Sequence, residues 1–272
     1  MSGPKFQRLL RFRSESGNIH FVEVPENHPW EKELIGTEVF IYYGNSPLDR
    51  NLILSDRKAI VKEVLAPFAD VPFIYGVGLN FRKHVEESGV NALAGPYEDI
   101  HVHHTAKDLD YEGELIVVIG KDVKNLPNDA NALDYVLGYT IGNDLSSRWW
   151  QEATKGAQSN YAKSFDQFAP LGPVLVSTNV IPDPAVLTFR THMNGEKRQE
   201  SGIDDLIFDV SAIVWFFSQG RTLRKGSVIM TGTPFGVGSF LPGGPKYLKD
   251  GDDVEIEISQ IGNMRNKFVI DQ

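Results

Sequence analysis

Cysteine is absent from this chain of 272 residues, which removes disulfides, thiolate metal sites and a cysteine nucleophile and suits a reducing compartment. Long apolar runs are missing too. Pieces such as AIVWFF, Ala212 to Phe217, are too short to cross a bilayer, so a soluble protein with no membrane partner is expected. No basic tract occurs, and 36 acidic against 27 basic residues leave a net charge of −9, which argues against nucleic acid as a partner. No apolar segment follows Arg8, Arg11 and Arg13 as in a secretion signal, so the expected location is cytoplasmic, with a mitochondrial transit peptide as the alternative. A serine-hydrolase elbow, Gly-x-Ser-x-Gly, is lacking. TGTPFGVG lacks the Gly-Lys-Ser/Thr of a phosphate loop, and GVGLNF lacks the third glycine of a dinucleotide fingerprint.

What is present is the composition of a globular protein, 41% hydrophobic and 23% charged, with many short strand signals and few helical ones. QRLLRFRSESGNIHFVEV reads as a hairpin about SESGN, and TEVFIYY as a further strand. LSDRKAIVKEVLAP reads as a helix or an extended connector ending at Pro67. Residues 1–69 are taken as a small N-terminal domain and 70–272 as a larger body. Strands are expected in ELIVVIG, YVLGYTIGND, GPVLVST, LTFRTHMNG, SVIMTG and DVEIEIS, with MNGE and KDGDD as hairpin turns. Helices are expected in NFRKHVEESG, NALDYV and DVSAIVWFFSQG. The fold class is mostly β with α (α+β).

Within DLDYEGELIVVIGKD, Asp110, Glu112 and Glu114 stand at intervals of two as the chain enters an apolar strand. Alternate side chains share a face, so these carboxylates crowd one side together with Ile116 and Val118. Buried carboxylates repel and lose hydration unless a cation joins them, and an all-oxygen set suits Mg²⁺ or Mn²⁺. Asp144, where the strand YTIGND ends, offers a third ligand beside Glu112 and Glu114. On spacing alone a Glu-x-Glu pair also fits a solvated strand face. His84 and Glu87 are three apart, the separation of neighbours on a helix face, where a carboxylate orients an imidazole for general-base work; an incidental surface pair fits the same spacing. His101, His103 and His104 are read as a polar loop.

LDYEGELIVVIGKDVKNL, VLGYTIGNDLSSRWWQ, AKSFDQFAPLGPVLVS, MNGEKRQ, VIMTGTPFGVG and LKDGDDVEIEISQIGNMRN together resemble, in order and spacing, the fumarylacetoacetate hydrolase superfamily over about Val71 to Gln272. The resemblance implies a β-rich catalytic fold holding one Mg²⁺ or Mn²⁺ on Glu112, Glu114 and Asp144, with Asp110 outside the ligand set. It implies that His84 and Glu87 sit on a short lid helix and activate water, and that Lys163 stabilises an enolate or oxyanion. Gln151 and Thr233 match substrate contacts, and a homodimer is the family's common assembly. Two departures stand out. Only VNALA separates Gly89 from Gly95, where relatives carry a longer proline-rich segment, and Ser147 replaces a frequent alanine. The expected activity is metal-dependent hydrolysis of the carbon–carbon bond of an acylpyruvate or similar 2,4-diketo acid. Oxaloacetate decarboxylation, keto–enol tautomerisation, isomerisation of an unsaturated 2-oxo diacid and a silent 2-oxo acid binder are the alternatives.

Overall fold

A computed structural model describes residues 4–25, 34–49, 51–76, 87–88 and 92–271. In chain order the strands are β1 (Arg8–Ser14), β2 (Ile19–Glu23), β3 (Glu38–Tyr43), β4 (Ile53–Leu65), β5 (Ile74–Gly76), β6 (Glu87–Ser88), β7 (Leu93–Ala94), β8 (Ile100–Val102), β9 (Leu109–Asp110), β10 (Gly113–Ile119) and β11 (Val123–Lys124). They continue with β12 (Val136–Asn143), β13 (Ser146–Ser147), β14 (Ala169–Ser177), β15 (Thr188–Met193), β16 (Glu196–Gly202), β17 (Thr222–Leu223), β18 (Val228–Met230), β19 (Asp253–Ile258) and β20 (Gly262–Ile270). The α-helices are α1 (Arg148–Gln151), α2 (Ser159–Lys163) and α3 (Val210–Ser218). The class is therefore α+β, dominated by strands.

An 11-stranded sheet runs β3-β4-β1-β14-β12-β10-β18-β5-β6, with β2 on β1 and β7 on β14. A second sheet runs β16-β15-β19-β20-β8, and two ribbons pair β11 with β17 and β9 with β13. At the centre of the large sheet, β10 sends Leu115, Val117 and Ile119 into one apolar core and Ile116 and Val118 into another. Burial on both faces explains why the run shows no polar alternation. Gly113, between the two glutamates, faces the second sheet: a Cβ there would lie 2.6 Å from Phe189 Cζ, so no larger residue fits without a shift.

LSDRKAIVKEVLAP is extended rather than helical; β4 pairs with both β1 and β3, and its many exposed side chains conceal the alternation a strand shows when half-buried. MNGE is the expected hairpin turn, with Asn194 and Gly195 both at positive φ between β15 and β16. KDGDD turns the chain but is not a hairpin, because no strand precedes it. NALDYV supplies one 3-10 turn, Ala132–Tyr135, rather than an α-helix. DVSAIVWFFSQG forms α3, capped by Asp209, whose side chain accepts from the Ala212 N–H at 2.8 Å. Most of NFRKHVEESG lies outside the described residues. Of it, Glu87 and Ser88 are strand, their backbone paired with Tyr75 and Ile74.

Candidate metal centre and active site

Three carboxylates converge at the open end of β10. Glu112, Glu114 and Asp144 each offer an oxygen, and these oxygens lie within 4.8 Å of one another. Backbone pairing fixes the juxtaposition: Gly113 is opposite Asn143 in the β10–β12 register, the Glu112 N–H donates to Asn143 Oδ1 at 2.9 Å, and the Asp144 N–H donates to Glu112 O at 2.9 Å. Beside them β5 ends at Gly76, where an added Cβ would be 3.8 Å from Asp144 Oδ2.

Asp110 does not join this cluster. It belongs to β9, which pairs with β13, and the strand is interrupted before β10 begins, so the three acids do not form one continuous row. Its fully buried carboxylate accepts from the backbone N–H groups of Tyr111 (3.0 Å), Gly238 (2.7 Å) and Ser239 (3.0 Å), from the Ser239 hydroxyl (2.9 Å) and from Arg148 Nε (2.8 Å). Gly238 must be glycine there, since a Cβ would sit 2.6 Å from Asp110 Oδ1. The same segment holds the glycine-rich loop at further points. The Gly232 N–H donates to Glu114 Oε2 at 2.7 Å, and the Tyr111 hydroxyl donates to Gly236 O at 2.8 Å.

Two cations complete the cluster. Lys163, the last residue of α2, places Nζ 3.0 Å from Glu112 Oε2 and 2.5 Å from Asp144 Oδ2. Arg148, the first residue of α1, pairs with Asp110 through Nε, lies 2.7 Å from Glu112 through Nη2 and donates from Nη1 to Gln151 Oε1 at 2.9 Å. With Asp110, which pairs with Arg148, four carboxylates stand against two cations, so full ionisation would leave an excess of two negative charges among these residues. Burial raises Glu114 well above the usual carboxylate range, reinforced by Asp144 and Glu112. Burial also raises Asp144, against the pull of Lys163. Glu112 is lowered despite its burial because Lys163 and Arg148 both face it. Burial opposes the charge of Lys163, but Asp144 and Glu112 outweigh it and hold the ammonium protonated. A divalent cation would neutralise the excess, and an oxygen-only donor set suits Mg²⁺ or Mn²⁺.

Of the residues singled out from the sequence, Glu112, Glu114, Asp144 and Lys163 meet here, and Gln151 joins them through Arg148. Thr233 follows Gly232 on the tethered loop and accepts a hydrogen bond from Gln199 Nε2 at 2.8 Å. His84 lies outside the described residues, and of Glu87 only the backbone is described. Arg148 and Gln199 escaped the sequence reading. The signal for Arg148 is its place four residues after Asp144, directly before the tryptophans and Gln151.

A model of the fumarylacetoacetate (FAA) hydrolase C-terminal family matches residues 73–269. The chain belongs to the fumarylacetoacetate hydrolase family. Among relatives, the oxaloacetate tautomerase fahd2, mitochondrial, of Xenopus laevis is 37% identical over 237 residues, covering 82% of this chain and 73% of that protein. A protein of Archaeoglobus fulgidus is 40% identical over 245 residues, covering 84% and 92%. The solved structure of 5-carboxymethyl-2-hydroxymuconate delta-isomerase from Mycobacterium smegmatis superposes with a TM-score of 0.80 at 31% identity, covering 97% of this chain and all of that one. Members of this family act as enzymes, and the acidic triad found here is of the kind that can hold a metal ion.

Proposed function

We propose that the site binds Mg²⁺ or Mn²⁺ together with a small 2-oxo acid and works on the substrate's enol form, its first activity being keto–enol interconversion of a 2-oxo diacid such as oxaloacetate. The observation that carries this reading is Lys163 Nζ hydrogen-bonded to Glu112 and Asp144, two of three clustered carboxylates, a fixed positive charge beside a candidate cation site. A bound divalent cation supplies Lewis-acid polarisation of the 2-oxo group and its carboxylate. Glu112, Glu114 and Asp144 hold that cation. Lys163 presents a second positive charge where the carbonyl oxygen becomes more negative, an electrostatic role that needs no proton transfer from it. Arg148, pinned by Asp110, orients Glu112 and Gln151 at once. Thr233 offers a hydroxyl to the substrate's carboxylate. The relatives named for oxaloacetate tautomerisation support this reading over cleavage.

Hydrolysis of the carbon–carbon bond of an acylpyruvate is the second reading. It needs a base to activate water, the role assigned to His84 with Glu87. Metal-stripped protein assayed with oxaloacetate and with acetylpyruvate, before and after adding Mg²⁺ or Mn²⁺, separates the two. Metal-dependent acceleration of enol-to-ketone conversion without pyruvate formation supports tautomerisation. Metal-dependent pyruvate from acetylpyruvate, abolished by His84→Ala, supports hydrolysis instead. Turnover unaffected by metal removal would overturn both.

A further inference from the structure

Gln199, on β16, is 1% exposed, and its amide contacts the glycine-rich loop. Nε2 lies 2.8 Å from Thr233 Oγ1 and 2.8 Å from Pro234 O. The second contact fixes the amide orientation, because a carbonyl oxygen only accepts and must face the nitrogen. One N–H therefore points at Pro234 O and the other at Thr233 Oγ1. A hydroxyl that accepts from this direction keeps its single proton for another partner. Among the described residues no acceptor takes that proton.

The strand and the loop are in close register. At Gly236 a Cβ would meet Arg198 O at 2.1 Å, so β16 abuts the loop with no space for slippage. Thr233 itself follows Gly232, whose N–H is bonded to Glu114 Oε2, which sets the hydroxyl one residue from the carboxylate cluster. We propose that Gln199 is a positioning residue that fixes the polarity of the Thr233 hydroxyl, making it a hydrogen-bond donor to the anionic oxygen of the bound 2-oxo acid. The inference rests on the proposed function only in taking Thr233 as a contact of that ligand.

The test measures binding rather than turnover. Oxalate, the smallest compound with the adjacent oxygens of a 2-oxo carboxylate, is titrated into Mg²⁺-loaded wild type, Gln199→Met, Thr233→Val and the double variant, with thermal unfolding of each. Thr233→Val removes a hydrogen bond to a charged group and should weaken oxalate about tenfold; Gln199→Met keeps the hydroxyl but frees its rotation, and should weaken oxalate about threefold or more without exceeding the loss in Thr233→Val. The double variant should be no weaker than Thr233→Val alone, because Gln199 acts on the ligand only through that hydroxyl. Thr233→Ser, which keeps the hydroxyl, should bind within about threefold of wild type. If Thr233→Val weakens binding but Gln199→Met only lowers the unfolding temperature, or if the two losses multiply, Gln199 is structural and the inference falls while the contact at Thr233 stands. If Thr233→Val binds oxalate as well as wild type does, the assigned contact falls and takes the inference with it.

Discussion

Asp110 and Glu114 stand four residues apart in one segment, both withdrawn from water, and they are treated in opposite ways. Asp110 is surrounded by five hydrogen-bond donors, one of them the Arg148 guanidinium, so its charge is met within the protein. Glu114 receives one backbone N–H, from Gly232, and shares its surroundings with two further carboxylates. A buried acid with every lone pair engaged acts as a structural anchor, whereas one left short of positive charge marks a place built for a ligand that brings it. The distinction follows from the surroundings, since the two residues carry the same functional group.

The largest effect expected from this contrast is on catalysis. Glu114→Gln should lower kcat/KM by about 10³-fold, some 4 kcal/mol of transition-state stabilisation, while leaving the fold intact by circular dichroism. Asp110→Ala should do the reverse in kind, costing about 3 kcal/mol of stability in urea unfolding because Arg148 Nε and two loop N–H groups lose their acceptor. An Asp110→Ala protein as stable as wild type would erase the contrast. Gly113→Ala, which forces a methyl against Phe189, should cost about 2 kcal/mol, read in the same unfolding experiment. The smallest effect sharpens the comparison most. Metal-free Glu114→Gln should be more stable than metal-free wild type by about 1 kcal/mol at neutral pH, since a carboxylate disfavoured by burial and by its neighbours is gone. Saturating Mg²⁺ should reverse that order.

Much of the frame was legible in the chain. LIVVIG and GPVLVST announced central strands because apolar runs of that length, bounded by turn residues, have few other uses. The Glu-x-Glu pair and Asp144 were legible through their apolar context. β4 was ambiguous because it is largely exposed, and α1 and α2 went unseen because helices of four and five residues have no period to read. Asp110 looked like a third member of a carboxylate row, yet its partners Gly238 and Ser239 lie 128 and 129 residues away, and only folding brings them near. Arg148 and Gln199 were hidden for the same reason: their meaning lies in which groups they face across the site.

The most direct test of the central claim is calorimetric titration of Mn²⁺ into metal-stripped protein, run in two buffers of different ionisation enthalpy. Because Glu114 and Asp144 are both raised in the metal-free site, part of the population holds protons that a bound cation must displace. One ion per chain, bound with proton release, tighter as pH rises through that raised range and lost in Glu114→Gln, is the result expected. No saturable binding, or binding equally tight in Glu114→Gln, would contradict the assignment of these carboxylates as a metal centre.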